Sequence, residues 1–263
     1  MYSNILHIFQ IIFSRLAKFL LLLIGWNFIT DKKNEYKKLV ANKNYLVVFP
    51  HTTYWDAVIF MIYRNAYPDI FRNSKMYLKP EYFDNTSYGV NLFLNKLGFF
   101  RANSVNNEKK EYTIKKTTEK LKNLSSNYLL WMSPKGTIMN KPWRSGYYYL
   151  AKELNIPIVV AGLDYEKKQC VISDIFHIDF EKDSKDSVEE KIKNSMSKIV
   201  PLNIENSEIE IKENYDKENI TVINWKNFFI FLFIFITVCV LIWYLKFSFF
   251  SIFKILSTLM SFI

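Results

Sequence analysis

Short apolar runs alternate with stretches of helical periodicity from Asp31 to about Lys226, and this alternation constrains the fold more than any other feature. The runs NYLVVF, KMYLK, GFFRA, NYLLWM and IPIVVAGLDY are typical of strands, and the stretches between them, such as TYWDAVIFMIYRN, are typical of helices. Strands that alternate with helices predict an α/β domain with a mainly parallel sheet. A last strand, near KKQCVISD, is expected to pair antiparallel.

The N-terminal stretch predicts a helix that contacts a membrane. Four polar side chains share one helical face and apolar side chains cover the rest; the four are His7, Gln10, Ser14 and Lys18. Because charged residues interrupt the stretch, and because charge is costly at a bilayer centre, we expect this helix to lie in the membrane interface.

The C-terminal stretch predicts a membrane-spanning helix. Its sequence NFFIFLFIFITVCVLIWYL, residues 227–245, carries no charge and has Trp and Tyr near its edges. About 20 apolar residues suffice to cross a bilayer. The apolar tail 247–263 contains Lys254, and the sequence does not fix its course. The predicted organisation is an N-terminal membrane-interacting helix (1–30), an α/β domain (31–200), a linker (201–225) and a C-terminal anchor (226–263).

The composition excludes several classes of protein. Only two cysteines occur among 263 residues, so a disulfide framework or a cysteine metal site is not expected. No glycine-rich phosphate loop is present. The formal charge of +10 resides largely in lysines interleaved with glutamates, as in NNEKKEYTIKKTTEKLKN, which is typical of a solvated helix. The positive charge also allows the hypothesis of a membrane-tethered nucleic-acid binder, but no binding motif supports it. The apolar ends instead suggest a substrate that resides in lipid.

The stretch VVFPHTTYWDAVIF places His51 between a predicted strand and a predicted helix, five residues before Asp56. If the histidine lies in the turn and the aspartate in the first helical turns, their side chains converge. A histidine that donates a hydrogen bond to a carboxylate is held in one tautomer and accepts a proton at its other nitrogen. No serine or cysteine nucleophile is evident nearby, so the hydroxyl to be deprotonated is expected to belong to the substrate. The alternative is a structural histidine in a turn.

Four motifs together resemble those of the glycerophospholipid acyltransferases, a family that includes the lysophosphatidic acid acyltransferases. HTTYWD, LGFFRAN, MSPKGT and NIPIVV occur in the family's order and at similar separations, between about Asn44 and Tyr165. The residues that match the family pattern are His51, Asp56, Gly98, Arg101, Pro134, Gly136, Thr137 and Pro157.

The resemblance implies transfer of an acyl chain from acyl-CoA, or alternatively from acyl carrier protein, to a hydroxyl of a lysophospholipid or of glycerol phosphate. His51 would act as the base and Asp56 would orient it, while Arg101 would bind the acceptor phosphate, with a surface ion pair as its alternative role. Lys135, Gly136 and Thr137 would contribute to substrate binding. The resemblance implies no metal and no cofactor beyond acyl-CoA as co-substrate, membrane lipids but no nucleic acid as partners, and an active site on the cytosolic face.

Two positions of the third motif depart from the family pattern. Lys135 stands where the family has glutamate, and Ile138 stands where it has arginine. Lys135 either contacts a phosphate oxygen directly or is a solvated lysine, and Arg144 is a candidate replacement for the missing arginine. The departures also leave open an inactive relative that binds lipid or a partner at the membrane.

Overall fold

The computed structural model describes residues 2–27, 43–71, 73–78, 98–101, 110–124, 127–212, 214–226 and 228–230, with single residues between 84 and 94 and at 233 and 237. The strands are β1 (Tyr45–Val48), β2 (Ser74–Leu78), β3 (Phe99–Arg101), β4 (Leu129–Met132), β5 (Ile158–Asp164) and β6 (Gln169–Phe176). The helices are α1 (Tyr2–Leu23), α2 (Trp55–Ala66), α3 (Pro68–Phe71), α4 (Lys110–Lys122), α5 (Gly146–Leu154) and α6 (Lys185–Met196).

The six strands form one sheet in the order β3-β2-β4-β1-β5-β6. The first five pair in parallel, and β6 runs antiparallel to β5 at the edge. The prediction of an α/β domain with a mainly parallel sheet is therefore confirmed. β1 and β5 are buried along their whole length, which agrees with their continuous apolar sequences because helices cover both faces of such sheets.

Two apolar cores lie on the two faces of the sheet. On one face, Val47 and Trp131 pack with Phe60 of α2 and Leu21 of α1. On the other face, Leu46 and Leu130 of the sheet pack with residues of α4, α5 and α6; these include Leu121, Tyr147 and Ile192. The fold is thus a three-layer arrangement that places the ends of β1 and β4 side by side.

Helix α1 packs on α2 through its small and polar side. Ala17 and Leu21 are buried, the Ser14 hydroxyl donates to the Ala66 carbonyl at 2.9 Å, and the Lys18 ammonium lies 5.4 Å from the centre of the Tyr67 ring. The apolar side therefore faces outward. Its exposed residues are Ile11, Ile12, Phe13, Leu16, Phe19, Leu20 and Leu22.

Within the described residues, no helix combines the length and the apolar character that a membrane crossing requires. Most of the predicted C-terminal span, residues 227–245, and the tail 247–263 lie outside the described residues.

The segment expected to be a linker contacts the domain along much of its length. The Trp26 indole N–H donates to the Val222 carbonyl at 2.7 Å, and the Lys168 ammonium donates to the Asn219 carbonyl at 2.5 Å. These bonds hold this part of the segment against the end of α1 and against the turn between β5 and β6. Residues 201–209, which we call the strap, instead cross the carboxyl end of the sheet, as described below.

Candidate active site

The loop that follows β1 carries the first motif at the carboxyl end of the sheet. Strand β1 ends at Val48, and Phe49 and Pro50 lead the chain to His51. The loop approaches β5 closely at Gly162, where a Cβ atom would lie 3.1 Å from Cδ of Pro50. A side chain at position 162 would therefore displace the loop. In open parallel sheets, sites form at this end of the strands.

His51 and Asp56 are hydrogen-bonded. The distance from His51 Nδ1 to Asp56 Oδ2 is 2.9 Å, and Asp56 is buried in the first turn of α2. The same carboxylate oxygen accepts the backbone N–H groups of Thr52 and Thr53, at 3.0 and 3.2 Å. Because these N–H groups lie in the turn before the helix and need an acceptor there, the aspartate also fixes the conformation of the turn. The turn at residues 52–54 thus brings together two side chains five residues apart.

Tyr165 completes the surroundings of Asp56, and the sequence reasoning missed it. Its hydroxyl donates to Asp56 Oδ1 at 2.8 Å, and its ring packs edge-on against Trp26 at 5.1 Å. Burial raises the pKa of Tyr165 well above its ordinary value, and the charge of Asp56 adds to this effect, so the hydroxyl stays protonated and donates. Its position directly after β5, at the same end of the sheet as His51, was the feature of the sequence that could have indicated it.

This arrangement suits a general base. An ionised Asp56 only accepts hydrogen bonds, so His51 Nδ1 carries the proton and Nε2 has a free lone pair. The His51 side chain is 24% exposed. It therefore remains accessible to a substrate, while the carboxylate behind it is almost fully buried. Within the described residues, no cluster of three or more His, Cys, Asp or Glu side chains could hold a metal ion.

The third motif forms the loop after β4, next to the first motif. The Gly136 N–H donates to the Ser133 carbonyl at 3.0 Å, and Gly136 has a φ of 66°, which favours glycine. The Thr137 hydroxyl accepts the Met139 N–H at 3.3 Å. Lys135 is only 4% exposed, and its ammonium donates to the Asn206 carbonyl of the strap.

The environment of Lys135 combines burial with two negative charges. Burial lowers the pKa of its ammonium below the ordinary value, whereas the charges of Glu208 and Asp56 act in the opposite direction. Lys135 is therefore neither a solvated lysine nor a residue remote from the histidine–aspartate pair. It lies between that pair and the strap.

The strap, residues 201–209, joins the two motif loops. The Asn203 backbone N–H and side-chain amide donate to the Thr52 hydroxyl and carbonyl, at 3.4 and 3.1 Å, and the Asn206 side-chain amide also donates to the Thr52 carbonyl, at 3.4 Å. Because Thr52 also donates its backbone N–H to Asp56, this one residue connects the strap to the histidine–aspartate pair. The sequence reasoning assigned no contacts to this segment.

The second motif lies farther along the same end of the sheet. Arg101 ends β3, where it pairs with Leu78 of β2; its side chain is outside what the structure describes. Three strand spacings separate β3 from β1, which corresponds to roughly 14 Å. Arg144, the candidate replacement for the missing arginine, is exposed, and its backbone N–H donates to the Pro134 carbonyl at 3.0 Å. The described side chains therefore bring together the first and third motifs only.

Comparison with known proteins identifies the domain. A family model described as Acyltransferase matches residues 29–163, just over half of the chain. The matched region includes all four motifs and ends within β5, so α6 and the strap lie beyond it. A search of curated proteins finds no match. Because the family model matches more than half of its residues, the chain belongs to the acyltransferase family, is glycerophospholipid acyltransferase-like, and has acyl transfer as its general function.

Proposed function

We propose that the protein transfers an acyl chain from acyl-CoA to a free hydroxyl of a lysophospholipid, such as lysophosphatidic acid, with His51 as general base. Membership of the acyltransferase family supports the class of reaction. The observation that carries the assignment of the base is the 2.9 Å hydrogen bond between His51 Nδ1 and Asp56 Oδ2. In the neutral imidazole this bond places the proton on Nδ1, so Nε2 is the nitrogen that can accept the proton of the substrate.

The proposed reaction proceeds by direct attack. As the acceptor oxygen bonds to the thioester carbonyl carbon, its proton passes to His51 Nε2, and Asp56 stabilises the resulting imidazolium. The tetrahedral intermediate collapses with cleavage of the carbon–sulfur bond. The departing thiolate takes the proton from the imidazolium and leaves as CoA. The step needs no protein nucleophile because the substrate alcohol attacks directly.

The proposal includes action at a membrane surface. The outward side of α1 is apolar over about three turns, with Phe13 60% and Leu16 50% exposed. Exposed apolar patches of this kind mark sites of membrane or protein contact, and an amphipathic helix can lie in a bilayer interface. The apolar C-terminal residues 227–245 supply the second proposed anchor. A cytosolic active site completes the proposal, since it matches a soluble acyl-CoA donor.

The first test is acyl transfer by purified protein. We expect transfer of a labelled acyl group from acyl-CoA to at least one acceptor in a panel of lysophospholipids and glycerol 3-phosphate. His51→Ala should lower the rate by about 10²–10⁴-fold, which is the usual contribution of a general base. His177→Ala is the matched control because His177 lies after β6, outside the site. Undiminished transfer by His51→Ala would exclude this histidine as the base. A wild type inactive on every acceptor would favour the inactive lipid-binding relative.

The second test addresses the outward side of α1. A double variant, Phe13→Glu with Phe19→Glu, should lower transfer to acceptors in vesicles by tenfold or more, since each buried Phe contributes about 1.5–3 kcal/mol. Transfer to a short-chain, water-soluble acceptor should remain unchanged. Tyr149→Glu, which alters an exposed aromatic residue of α5, is the control. Equal losses on both acceptors would contradict membrane docking by this helix.

A further inference from the structure

A shallow pocket, open to solvent, lies between the two motif loops and the strap. Its polar lining includes Thr52 of the first motif, Ser133 and Lys135 of the loop after β4, and Glu208 of the strap. Apolar side chains such as Trp143 form the rest of its wall. Because Thr52 and Lys135 both interact with Asp56, the pocket is adjacent to the histidine–aspartate pair.

Three groups that line this pocket have unused hydrogen-bonding capacity within the described part of the chain. The Ser133 hydroxyl is buried and has no hydrogen-bond partner there. The Lys135 ammonium has three N–H groups, and its hydrogen bond to the Asn206 carbonyl uses one of them. The half-buried Glu208 carboxylate interacts electrostatically with Lys135. Buried polar groups are normally satisfied in folded proteins, so this concentration of groups in one pocket indicates a binding site.

The charges of the pocket define what it can bind. Lys135 presents hydrogen-bond donors and a positive charge, which suit an oxyanion such as a phosphate oxygen. Glu208 presents only acceptors when ionised, so it requires a hydrogen-bond donor on the ligand. A ligand that satisfies both carries an anionic oxygen and a donor group a short distance apart.

We infer that this pocket holds the headgroup of the acceptor lipid and that Glu208 selects headgroups with a hydrogen-bond donor beyond the phosphate. The inference rests on the proposed function, because it names the acceptor of that reaction. Phosphoethanolamine supplies such a donor as an ammonium group and phosphoglycerol supplies it as hydroxyl groups. A phosphocholine headgroup lacks it because its nitrogen is fully methylated. Glu208 lies beyond residues 29–163. The residue that selects the headgroup is therefore outside the region that matches the family.

The test measures binding of soluble headgroups to the full chain in detergent by titration calorimetry. The probes are phosphoethanolamine, glycerol phosphate and phosphocholine, which carry no second glycerol unit. We expect the wild type to bind at least one of the first two more tightly than the third. Glu208→Gln should weaken binding of that probe about tenfold or more, since hydrogen bonds to charged groups are strong. Its binding of phosphocholine should weaken less, because the methylated nitrogen donates no hydrogen bond to Glu208. Loss for the ethanolamine probe alone identifies an ammonium as the donor, and loss for the glycerol probe alone identifies a hydroxyl.

Glu205→Gln is the matched control. It removes the same charge from the same strap at an exposed position, so it should leave all three affinities unchanged. Equal affinities for the three probes, no binding of any probe, or a discrimination that Glu208→Gln leaves intact would each overturn the inference.

Acyl transfer measured on the same proteins separates the two proposals. Probe binding that depends on Glu208, in a protein that transfers no acyl group to any acceptor, would overturn the proposed function and support the binding site. Acyl transfer by a protein whose probe binding is indifferent to Glu208 would overturn the inference and leave the proposed function standing.

Discussion

The Asp56 carboxylate and the pocket between the motif loops and the strap are neighbours. The protein satisfies their hydrogen-bonding capacity to very different extents. Asp56 accepts four hydrogen bonds, from His51, Thr52, Thr53 and Tyr165. In the pocket, the Ser133 hydroxyl has no partner among the described residues. A saturated carboxylate is held in one orientation, whereas a pocket with unused capacity is suited to a ligand.

The two regions also differ in how their sequences relate to the family. The motif residues His51 and Asp56 follow the family pattern, whereas position 135 departs from it and the strap lies beyond the matched residues. The histidine–aspartate pair thus follows the motif pattern, while the neighbouring pocket departs from it at position 135 and includes residues beyond the matched region. Substitutions in each region test this difference.

The largest effect is expected for Asp56→Asn. The amide oxygen can accept the three donors now at Oδ2, and the amide N–H can donate to the Tyr165 oxygen, so the variant should fold. Without the carboxylate charge, the imidazolium loses its stabilisation, and acyl transfer should fall by about 10²–10⁴-fold. Initial rates, together with thermal unfolding by circular dichroism, measure the two effects. A folded variant with a rate within threefold of wild type would show that the carboxylate only braces the loop.

The next effect is expected for Lys135→Glu, which installs the family residue. In this chain the new carboxylate would face the Asn206 carbonyl, close to Glu208 and Asp56. Because an unpaired buried charge is strongly destabilising, the free energy of unfolding should fall by about 3–5 kcal/mol, and the strap should become sensitive to protease. Acyl transfer should fall by more than tenfold.

Lys141→Glu is the control for that variant, since Lys141 is exposed in the segment that follows the third motif. It should change neither urea unfolding nor proteolysis of the strap. Higher activity of Lys135→Glu with an intact strap would contradict this assignment, because it would mean that position 135 takes the family's glutamate without loss.

Much of the fold followed from periodicity, because a fully buried parallel strand such as β5 has a continuous apolar sequence with a turn at each end. The convergence of His51 and Asp56 was also predictable, since a strand end and a helix start fix where each residue lies. The bond from Lys135 to the strap was not, because it joins residues 71 positions apart. Local sequence does not encode such pairing, so a buried lysine and a solvated one look alike.

Tyr165→Phe tests whether the hydrogen bond from Tyr165 to Asp56 contributes to the rate of acyl transfer. The variant removes the donor to Oδ1 and leaves the ring that packs against Trp26. Without this hydrogen bond the carboxylate becomes more basic and favours the imidazolium more strongly, so the acidic limb of the pH–rate profile should move to higher pH. At neutral pH the rate should fall by roughly three- to tenfold, in line with about 1 kcal/mol for one hydrogen bond. Tyr63→Phe, which removes another buried hydroxyl, should leave the limb in place. An unmoved limb in Tyr165→Phe would assign the tyrosine a purely structural role.

The smallest effect is expected for Ser133→Ala. Its effects on the free energy of unfolding and on the KM for the acceptor show whether this hydroxyl serves packing or ligand binding. Removing a buried hydroxyl that has no partner among the described residues should leave the free energy of unfolding unchanged or raise it by up to about 1 kcal/mol, because no hydrogen bond is lost. If the hydroxyl contacts the acceptor headgroup, the KM for the acceptor should rise a few-fold while kcat and the KM for acyl-CoA stay constant. Ser195→Ala, at a hydroxyl that donates to Asp174 at 2.6 Å, should instead destabilise the fold and leave both KM values unchanged. A Ser133→Ala variant that loses stability without any change in acceptor KM would show that this part of the pocket serves packing, and it would confine ligand recognition to Lys135 and Glu208.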